Sequence, residues 1–319
     1  MRGRLQKGSV MEPLLILVFL SIIIFVFIIP SHSRNPYSQG IFSNGQTTTS
    51  WSSSAPPERT SAYTGHITLG SGNAQSAIQS YEEYVTVDNN SNESVDITGW
   101  TLSNGKGLKT YAVDTSSQRF ASDYATIPKG ALIINPSGSV MNDIVLAPGE
   151  EAIVTTGNIP NSYPFAIPSF KDNECTSYLN DQNTYNYYFY SPPSYSCVSP
   201  LDEQGASGLD RQCREMLQSV QSCTSPKLNS VDYSGNTVGP NGETCFGCIN
   251  GTAVSNACST FVKSHLTYQA CLNNHSSDKN FYGRVWHVYL GRGTEMWAED
   301  HDVITLHDRS GKVVDYLTY

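Results

Sequence analysis

Charge is the scarcest resource in this chain. Asp, Glu, Lys and Arg together make up 15% of 319 residues, and the basic ones are the minority, 19 against 28, for a net charge of −9. A protein that grips a phosphate backbone needs a basic stripe or patch, so nucleic acid is excluded as an expected partner. Catalytic signatures are also missing. No G-x-S-x-G, H-E-x-x-H or Walker pattern occurs, and Gly291-Arg292-Gly293 is too short for a phosphate loop. Ser and His are plentiful, but nothing spaces them as a triad. Hydrolysis therefore has no support from spacing, and the expectation is a protein that is not an enzyme and carries no cofactor. Cysteine is absent from residues 1–174 and again from 272–319; all eight cysteines fall between those two stretches.

Long apolar runs are absent too, with one exception. Pro13 to Pro30, PLLILVFLSIIIFVFIIP, has no charge and a single polar side chain, Ser21. As a helix it would span about 27 Å, close to the hydrocarbon thickness of a bilayer. A cleaved secretory signal has a shorter apolar core and a small-residue cleavage site, and here only Ser31-x-Ser33 resembles one. The expected reading is an uncleaved anchor, with a cleaved signal as the alternative. Arg2, Arg4 and Lys7 precede the run and only Arg34 follows it closely, so residues 1–12 are expected inside the cell and the bulk of the chain outside. Either reading exports the bulk. The first twelve residues hold three basic residues against Glu12, so of the net −9 the exported remainder carries −11. Residues 31–60 are mostly Ser, Thr, Asn, Gly and Pro without usable periodicity, which is the composition of a flexible linker.

From Ser61 onward the texture becomes alternating β-branched segments cut by turn residues. His66-Ile67-Thr68-Leu69, Tyr84-Val85-Thr86-Val87, Val95 to Leu102, Ala131 to Ile134, Ile144 to Leu146 and Glu151 to Val154 each read as strands. The pattern stops for about 125 residues and then returns in Val285 to Leu290, Val303 to Leu306 and Val313 to Tyr316. The last block has too few strands to bury a core alone. One all-β domain, a sandwich or barrel over residues 61–319 interrupted by an insertion at 158–283, is the expected arrangement.

Several of these stretches carry a family resemblance. Tyr84-Val85-Thr86-Val87, then Val95-Asp96-Ile97-Thr98-Gly99-Trp100-Thr101-Leu102, then Ile127-Pro128-Lys129-Gly130 and Leu146-Ala147-Pro148-Gly149-Glu150 resemble the lamin-tail domain. Its members read E-Y-V-x-I-x-N, V-D-L-S-G-W-x-L and L-x-P-G. Asp302-Val303-Ile304-Thr305-Leu306 and Asp308-x-x-Gly311-Lys312-Val313-Val314-Asp315 are similar to the family's closing D-x-I-x-L-x-D-x-x-G-x-V-V-D. The resemblance covers residues 61–157 and 284–319, and its D-I-T-G-W-T-L stretch is the most specific part. It implies an immunoglobulin-like β-sandwich of lamin-tail type, a surface or secreted module with no catalytic residues of its own, in bacteria often joined to hydrolases. The Asn173-Glu174-Cys175 opening and the Trp286-His287-Val288-Tyr289-Leu290 strand also resemble membrane-anchored bacterial lamin-tail proteins with a cysteine-rich insertion. Independently of the resemblance, Trp100 beside Gly99 on an expected strand suits a core plug.

The cysteines are Cys175, Cys197, Cys213, Cys223, Cys245, Cys248, Cys258 and Cys271. The insertion that contains them has few apolar runs, so it needs cross-links to hold a shape, and an exported compartment permits them. Ser207 to Cys223 reads as a helix, with Ser207 or Asp210 as its cap and Leu209, Cys213, Met216, Leu217, Val220 and Cys223 on one face. Cys213 and Cys223 lie about 15 Å apart along such a helix, so they cannot pair with each other. Ala253 to Leu266 reads as a second helix with Val254, Cys258, Phe261, Val262 and His265 near one face. Cys245-Phe246-Gly247-Cys248 could also be a redox dithiol or half a zinc site. Zinc wants a second close pair, and nine residues separate Cys248 from the next cysteine; a redox dithiol wants a helix start in a βαβ setting, and here the surroundings are turn-rich. Four disulfides of open connectivity are expected, with a thiol-redox or metal-dependent activity at Cys245 and Cys248 as the alternative.

Tyr178 to Tyr195, YLNDQNTYNYYFYSPPSY, concentrates tyrosines around Phe189. Packed inward it would cover the sandwich between Cys175 and Cys197. Exposed, Tyr185, Tyr187, Tyr188 and Tyr190 would be a binding surface for a protein or glycan, because tyrosine joins apolar area to a hydroxyl. Glu299-Asp300-His301-Asp302 could in principle hold calcium, but it lacks the glycine and spacing of such loops and reads as a solvated turn. The sequence reading is therefore a non-catalytic, membrane-anchored module with structural or binding duties at the cell surface. An accessory domain serving a separately encoded hydrolase is a further alternative.

Overall fold

A computed structural model describes residues 60–105, 109–112, 118–121, 124–160, 164–182, 184–228, 248–250, 252–299 and 302–319. The expected membrane span at 13–30, nearly all of the linker at 31–60, Cys245, Asp300 and His301 lie outside the described residues. Among the described residues no helix is long and apolar enough to cross a membrane. The described residues belong to one compact unit, Ala55–Tyr319.

The chain is mostly β. In order, the strands are β1 Ile67–Gly70, β2 Tyr84–Asn89, β3 Val95–Asp96, β4 Thr101–Asn104, β5 Lys109–Ala112, β6 Gln118–Ala121, β7 Tyr124–Thr126, β8 Gly130–Ala131, β9 Met141–Asn142, β10 Val145–Leu146, β11 Glu151–Thr155 and β12 Phe170–Asn173. Three helices come next, interleaved with a two-stranded ribbon: α1 Arg211–Gln218, then β13 Cys248–Ile249 and β14 Thr252–Ala253, then α2 Asn256–His265 and α3 Tyr268–His275. The chain ends with β15 Tyr282–Tyr289, β16 Val303–His307 and β17 Val313–Thr318.

Seven strands form the larger sheet in the order β1-β2-β11-β15-β12-β8-β9, and four form a second in the order β17-β16-β4-β7. Late strands therefore pair with early ones. β15 runs parallel to β11, with Ala152 beside Trp286 and Val154 beside Val288. β16 runs antiparallel to β4, with Leu306 beside Leu102. Period-two alternation explains the burial: Val85 and Val87 of β2, Ala152 and Val154 of β11, Leu102 of β4, and Ile304 and Leu306 of β16 all face one apolar cluster that also holds Trp100, Trp286 and Trp297. Both sheets contribute to that core. β12 lies inside the stretch 158–283, so the interrupting segment itself adds a strand to the larger sheet.

The stretch from Val95 to Leu102, which alternation reads as one strand, is two strands joined by a tight turn. Asp96 Oδ1 accepts a hydrogen bond from the Thr98 amide at 2.9 Å, and Gly99 adopts φ +78°, a conformation that excludes most side chains. Thr98 Oγ1 accepts from the Ile144 amide at 2.6 Å, tying the turn to the neighbouring segment. Trp100, 2% exposed, then drops into the core with its ring 5.0 Å from that of Tyr63. Arg309 closes the turn from outside, donating to the Thr98 carbonyl and to Asp96 Oδ2 at 2.8 Å. The turn between β16 and β17 uses the same device. Asp308 Oδ1 accepts from the Ser310 amide at 2.8 Å, the Ser310 hydroxyl at 2.6 Å and the Lys312 amide at 3.1 Å, while Oδ2 accepts from the Ser61 hydroxyl at 2.7 Å.

Candidate functional site

Along the tyrosine run at 185–190 burial alternates, with Tyr185, Tyr187 and Phe189 covered and Asn186, Tyr188 and Tyr190 exposed. Tyr187 is buried, and its ring lies 5.7 Å from Phe165, 5.6 Å from Tyr185 and 5.9 Å from Phe189. Its hydroxyl donates to the Phe165 carbonyl at 2.8 Å. Burial pushes the Tyr187 hydroxyl up to about 12, so it remains a proton donor at neutral pH. Gln182 Nε2 fixes the strap from the side by donating to the Tyr187 carbonyl at 2.7 Å. Tyr188 and Tyr190 point the other way and are 52% and 45% exposed. Tyr188 sits edge-on to Tyr81 at 5.8 Å, and Tyr190 lies 6.2 Å from Tyr84. Of the four tyrosines read as a binding surface, Tyr187 and the half-buried Tyr185 are thus packing residues, because alternation turns them onto Phe165. The exposed part of this run is Tyr188 and Tyr190, with Tyr81 and Tyr84 beside them.

Three disulfides with both partners among the described residues hold the segment between β12 and β15. Cys175–Cys271 joins the end of β12 to α3 with Cα atoms 5.7 Å apart, Cys197–Cys223 closes a polar loop, and Cys213–Cys258 joins α1 to α2. Cys213 and Cys223 pair with different partners, as expected, but not for the expected reason: the helix that holds Cys213 stops at Gln218, before Cys223. Cys248 is fully buried and also disulfide-bonded; Cys245 lies outside the described residues. Among the described residues no cysteine is free. α1 is shorter than its sequence pattern, starting at the Asp210 cap, whose side chain accepts from the Cys213 amide at 2.8 Å. Ser255 caps α2 in the same way, and its hydroxyl also donates to Asp210 Oδ2 at 2.6 Å, linking the two helix starts. The cap Asp210 is held below the ordinary aspartate range, first by the Ser255 hydroxyl and then by the Cys213 amide.

Beside the Cys175–Cys271 bridge lies a cluster that sequence spacing does not single out. His275, the last residue of α3, places Nδ1 2.8 Å from Asp278 Oδ2 and Nε2 3.1 Å from Glu203 Oε2. Glu174 completes the group: one donor atom each from Glu174, His275 and Asp278 lies within 4.8 Å of the others. Glu203 is buried, its side chain only 3% exposed. Burial raises the Glu174 carboxyl, and repulsion from Asp278 and Glu203 adds to that while His275 opposes it. Burial alone would lower His275, but its hydrogen bonds to Asp278 and Glu203 outweigh that and raise it. Glu174 and Asp278 open onto a shallow cleft of about 550 Å³ lined also by Ser194, Tyr195 and Lys279. The four residues are scattered over a hundred positions. The signal the sequence does carry is Glu174 next to Cys175, and His275 one turn after Cys271.

The other buried ionisable groups are structural. Glu83 accepts from the amides of Met296 at 2.6 Å and Trp297 at 3.0 Å. Asp302, from the acidic stretch before β16, accepts from the amides of Gly105 at 3.0 Å and Ala298 at 2.8 Å, which commits its carboxylate to the backbone. His287 Nε2 lies 3.1 Å from Asp172 Oδ1, within ion-pairing distance but off the axis of a hydrogen bond, and its ring stacks on Phe170 at 4.8 Å. Both members of that pair are almost fully enclosed, so no substrate reaches them. Comparison of the chain with protein-family models, with curated proteins and with solved structures found no match to any of them.

Proposed function

We propose that this chain is a non-catalytic, membrane-tethered surface module of lamin-tail type that binds a carbohydrate component of the cell surface through Tyr188 and Tyr190. In this reading residues 13–30 anchor the chain, 31–60 form the linker, and 61–319 form an immunoglobulin-like β-sandwich carrying a cysteine-rich insertion at 158–283. The three disulfides fit an oxidising, extracytoplasmic compartment. The D-I-T-G-W and D-x-x-G stretches support the lamin-tail reading because their residues act as turn caps, a left-handed glycine and a core tryptophan.

One observation carries the binding role. Two tyrosines are 52% and 45% exposed although burying them would be favourable, and they are held out by the anchoring of Tyr187 behind them. Outward rings with hydroxyl tips, on a chain in which charged residues are only 15%, suit the C–H faces and hydroxyls of sugars. The test uses the full chain in detergent micelles on an array of surface polysaccharides. Wild type is expected to bind, and Tyr188→Ala/Tyr190→Ala to bind at least about tenfold more weakly, the effect of losing 1.4 kcal/mol. No glycan binding, or equal binding by the double variant, overturns the role. Capture of a protein through the same tyrosines replaces the carbohydrate by a protein ligand.

A further inference from the structure

We propose that Glu174, His275 and Asp278 form a binding site for a divalent transition metal of the zinc type, with Glu203 as the outer carboxylate that orients His275. The donor set is one imidazole nitrogen and two carboxylate oxygens, which suits zinc better than calcium, whose sites are all oxygen. His275 Nδ1 and Asp278 Oδ2 are 2.8 Å apart, a hydrogen-bond distance that has to open by about 0.5 Å to take one ion. Donors bound at 2.0–2.2 Å in a tetrahedral shell lie about 3.3 Å apart. The three donor atoms lie within 4.8 Å of one another, and the set closes if the Glu174 carboxylate swings toward the other two. The fourth position then faces the cleft and water.

Two further observations set this cluster apart from an ordinary acidic patch. The first is Glu203. A metal-bound histidine usually donates its other N–H to a carboxylate, which fixes the tautomer and strengthens the ligand. Glu203 is placed to accept that N–H from a buried position, with Oε2 at 3.1 Å and Oε1 at 3.3 Å from His275 Nε2. His275 Nδ1 faces Asp278 Oδ2; protonated, that nitrogen donates to Asp278, and without the proton it offers its lone pair to an ion. The second is covalent. Cys175–Cys271 fixes the residue after Glu174 to the helix turn that ends at His275, so the donors are held in place before an ion arrives. Three carboxylates surround one imidazole, and among the described residues the Glu174 side chain has no hydrogen-bond partner of its own, leaving it available as a ligand.

The test is metal uptake by the full chain, purified without reductant, stripped with EDTA and dialysed against Zn²⁺ or, in parallel, Ca²⁺. Elemental analysis is expected to find one Zn²⁺ per wild-type chain and none above background in Glu174→Gln or His275→Ala. Glu174→Gln keeps the shape of the side chain at a partly exposed position, and near-UV circular dichroism verifies that its fold is unchanged. Glu203→Gln is expected to keep the stoichiometry and to weaken the affinity about 10- to 100-fold, the mark of an orienting residue. Absence of Zn²⁺ uptake by wild type, uptake that survives in Glu174→Gln and His275→Ala alike, or uptake of Ca²⁺ in place of Zn²⁺ overturns the assignment.

Discussion

The two-sheet region and the disulfide-held region reach stability by different means. The sheets share an apolar cluster built from Val, Ile, Leu and three tryptophans, with no cysteine in it. The other region has two smaller clusters. One is dominated by Tyr178, Tyr187, Tyr268, Phe170 and Phe281 with Cys175, Cys197 and Cys271; the other packs Cys213 and Cys258 among Leu217, Ile249, Phe261, Val262 and Leu266. Strands from distant parts of the chain close a large core on their own. Short helices and long irregular loops cannot bury enough surface to offset the entropy of ordering them, so cross-links supply the difference by restricting the unfolded chain.

The largest expected effect comes from cutting the longest cross-link. Cys175–Cys271 closes a loop with a sequence separation of 96, so Cys175→Ala/Cys271→Ala should cost about 4 to 5 kcal/mol by loop entropy. Hydrogen exchange should speed up first in α3 and around Tyr187, while amides of β2 and β11 keep their protection. Equal loss in both regions would mean that they unfold as one unit. Trp100→Ala probes the other side of the comparison. It removes a ring that is 2% exposed and should cost about 4 kcal/mol, read as a lower denaturant midpoint. Protection should fall in β4 and β16 while α1 and α2 stay held by Cys213–Cys258.

A smaller effect is expected at Asp308, where the sheet region uses a polar clasp in place of a cross-link. Burial raises its carboxyl, but hydrogen bonds from Ser310, Ser61 and Lys312 outweigh that and hold it down at about 2. A carboxyl whose folded value lies below its unfolded value stabilises the fold above about pH 4, and that contribution disappears as pH falls toward 2. Allowing for solvent screening, it is about 1 kcal/mol. Asp308→Asn should flatten the acid limb of the stability curve in that window. An unchanged curve would mean that Ser61 and β17 are held by their backbone bonds alone.

These contrasts also explain how much of the fold is legible in the sequence. Strands that obey period two, such as β2, β11, β16 and β17, can be read because their own residues encode which face is buried. The break at Ile97 to Trp100 is hidden: Val95 to Leu102 alternates through it, and only Gly99 and the Asp96 cap mark the turn. β12 is illegible for a different reason. Phe170-Lys171-Asp172-Asn173 has poor strand propensity, and it is a strand because β15 and β8 pair with it. α3 escapes a sequence reading because Leu266 and Thr267 look like the tail of α2, whereas Thr267 caps a new helix by accepting from the Ala270 amide. The Glu174–His275 cluster cannot be read at all without the disulfide pairing, which spacing leaves open.

The smallest effect on stability is expected at the exposed tyrosines, and there the comparison turns from folding to function. Tyr187→Ala should behave as a core change, costing about 3 kcal/mol or more, because it removes the hydroxyl bond to Phe165 and ring contacts on three sides. Tyr188→Ala, one residue along, removes a ring that is 52% exposed and should change stability by less than about 0.5 kcal/mol. Neighbours in sequence, with the same side chain, are therefore expected to separate almost completely: one sets the melting midpoint and the other sets affinity for the surface ligand. Thermal unfolding of the two single variants, run beside the binding assay, measures that separation. If Tyr188→Ala destabilised as much as Tyr187→Ala, the outward ring would be part of the packing against Tyr81, and the strap would be a cover for the sheet edge with no surface left to bind through.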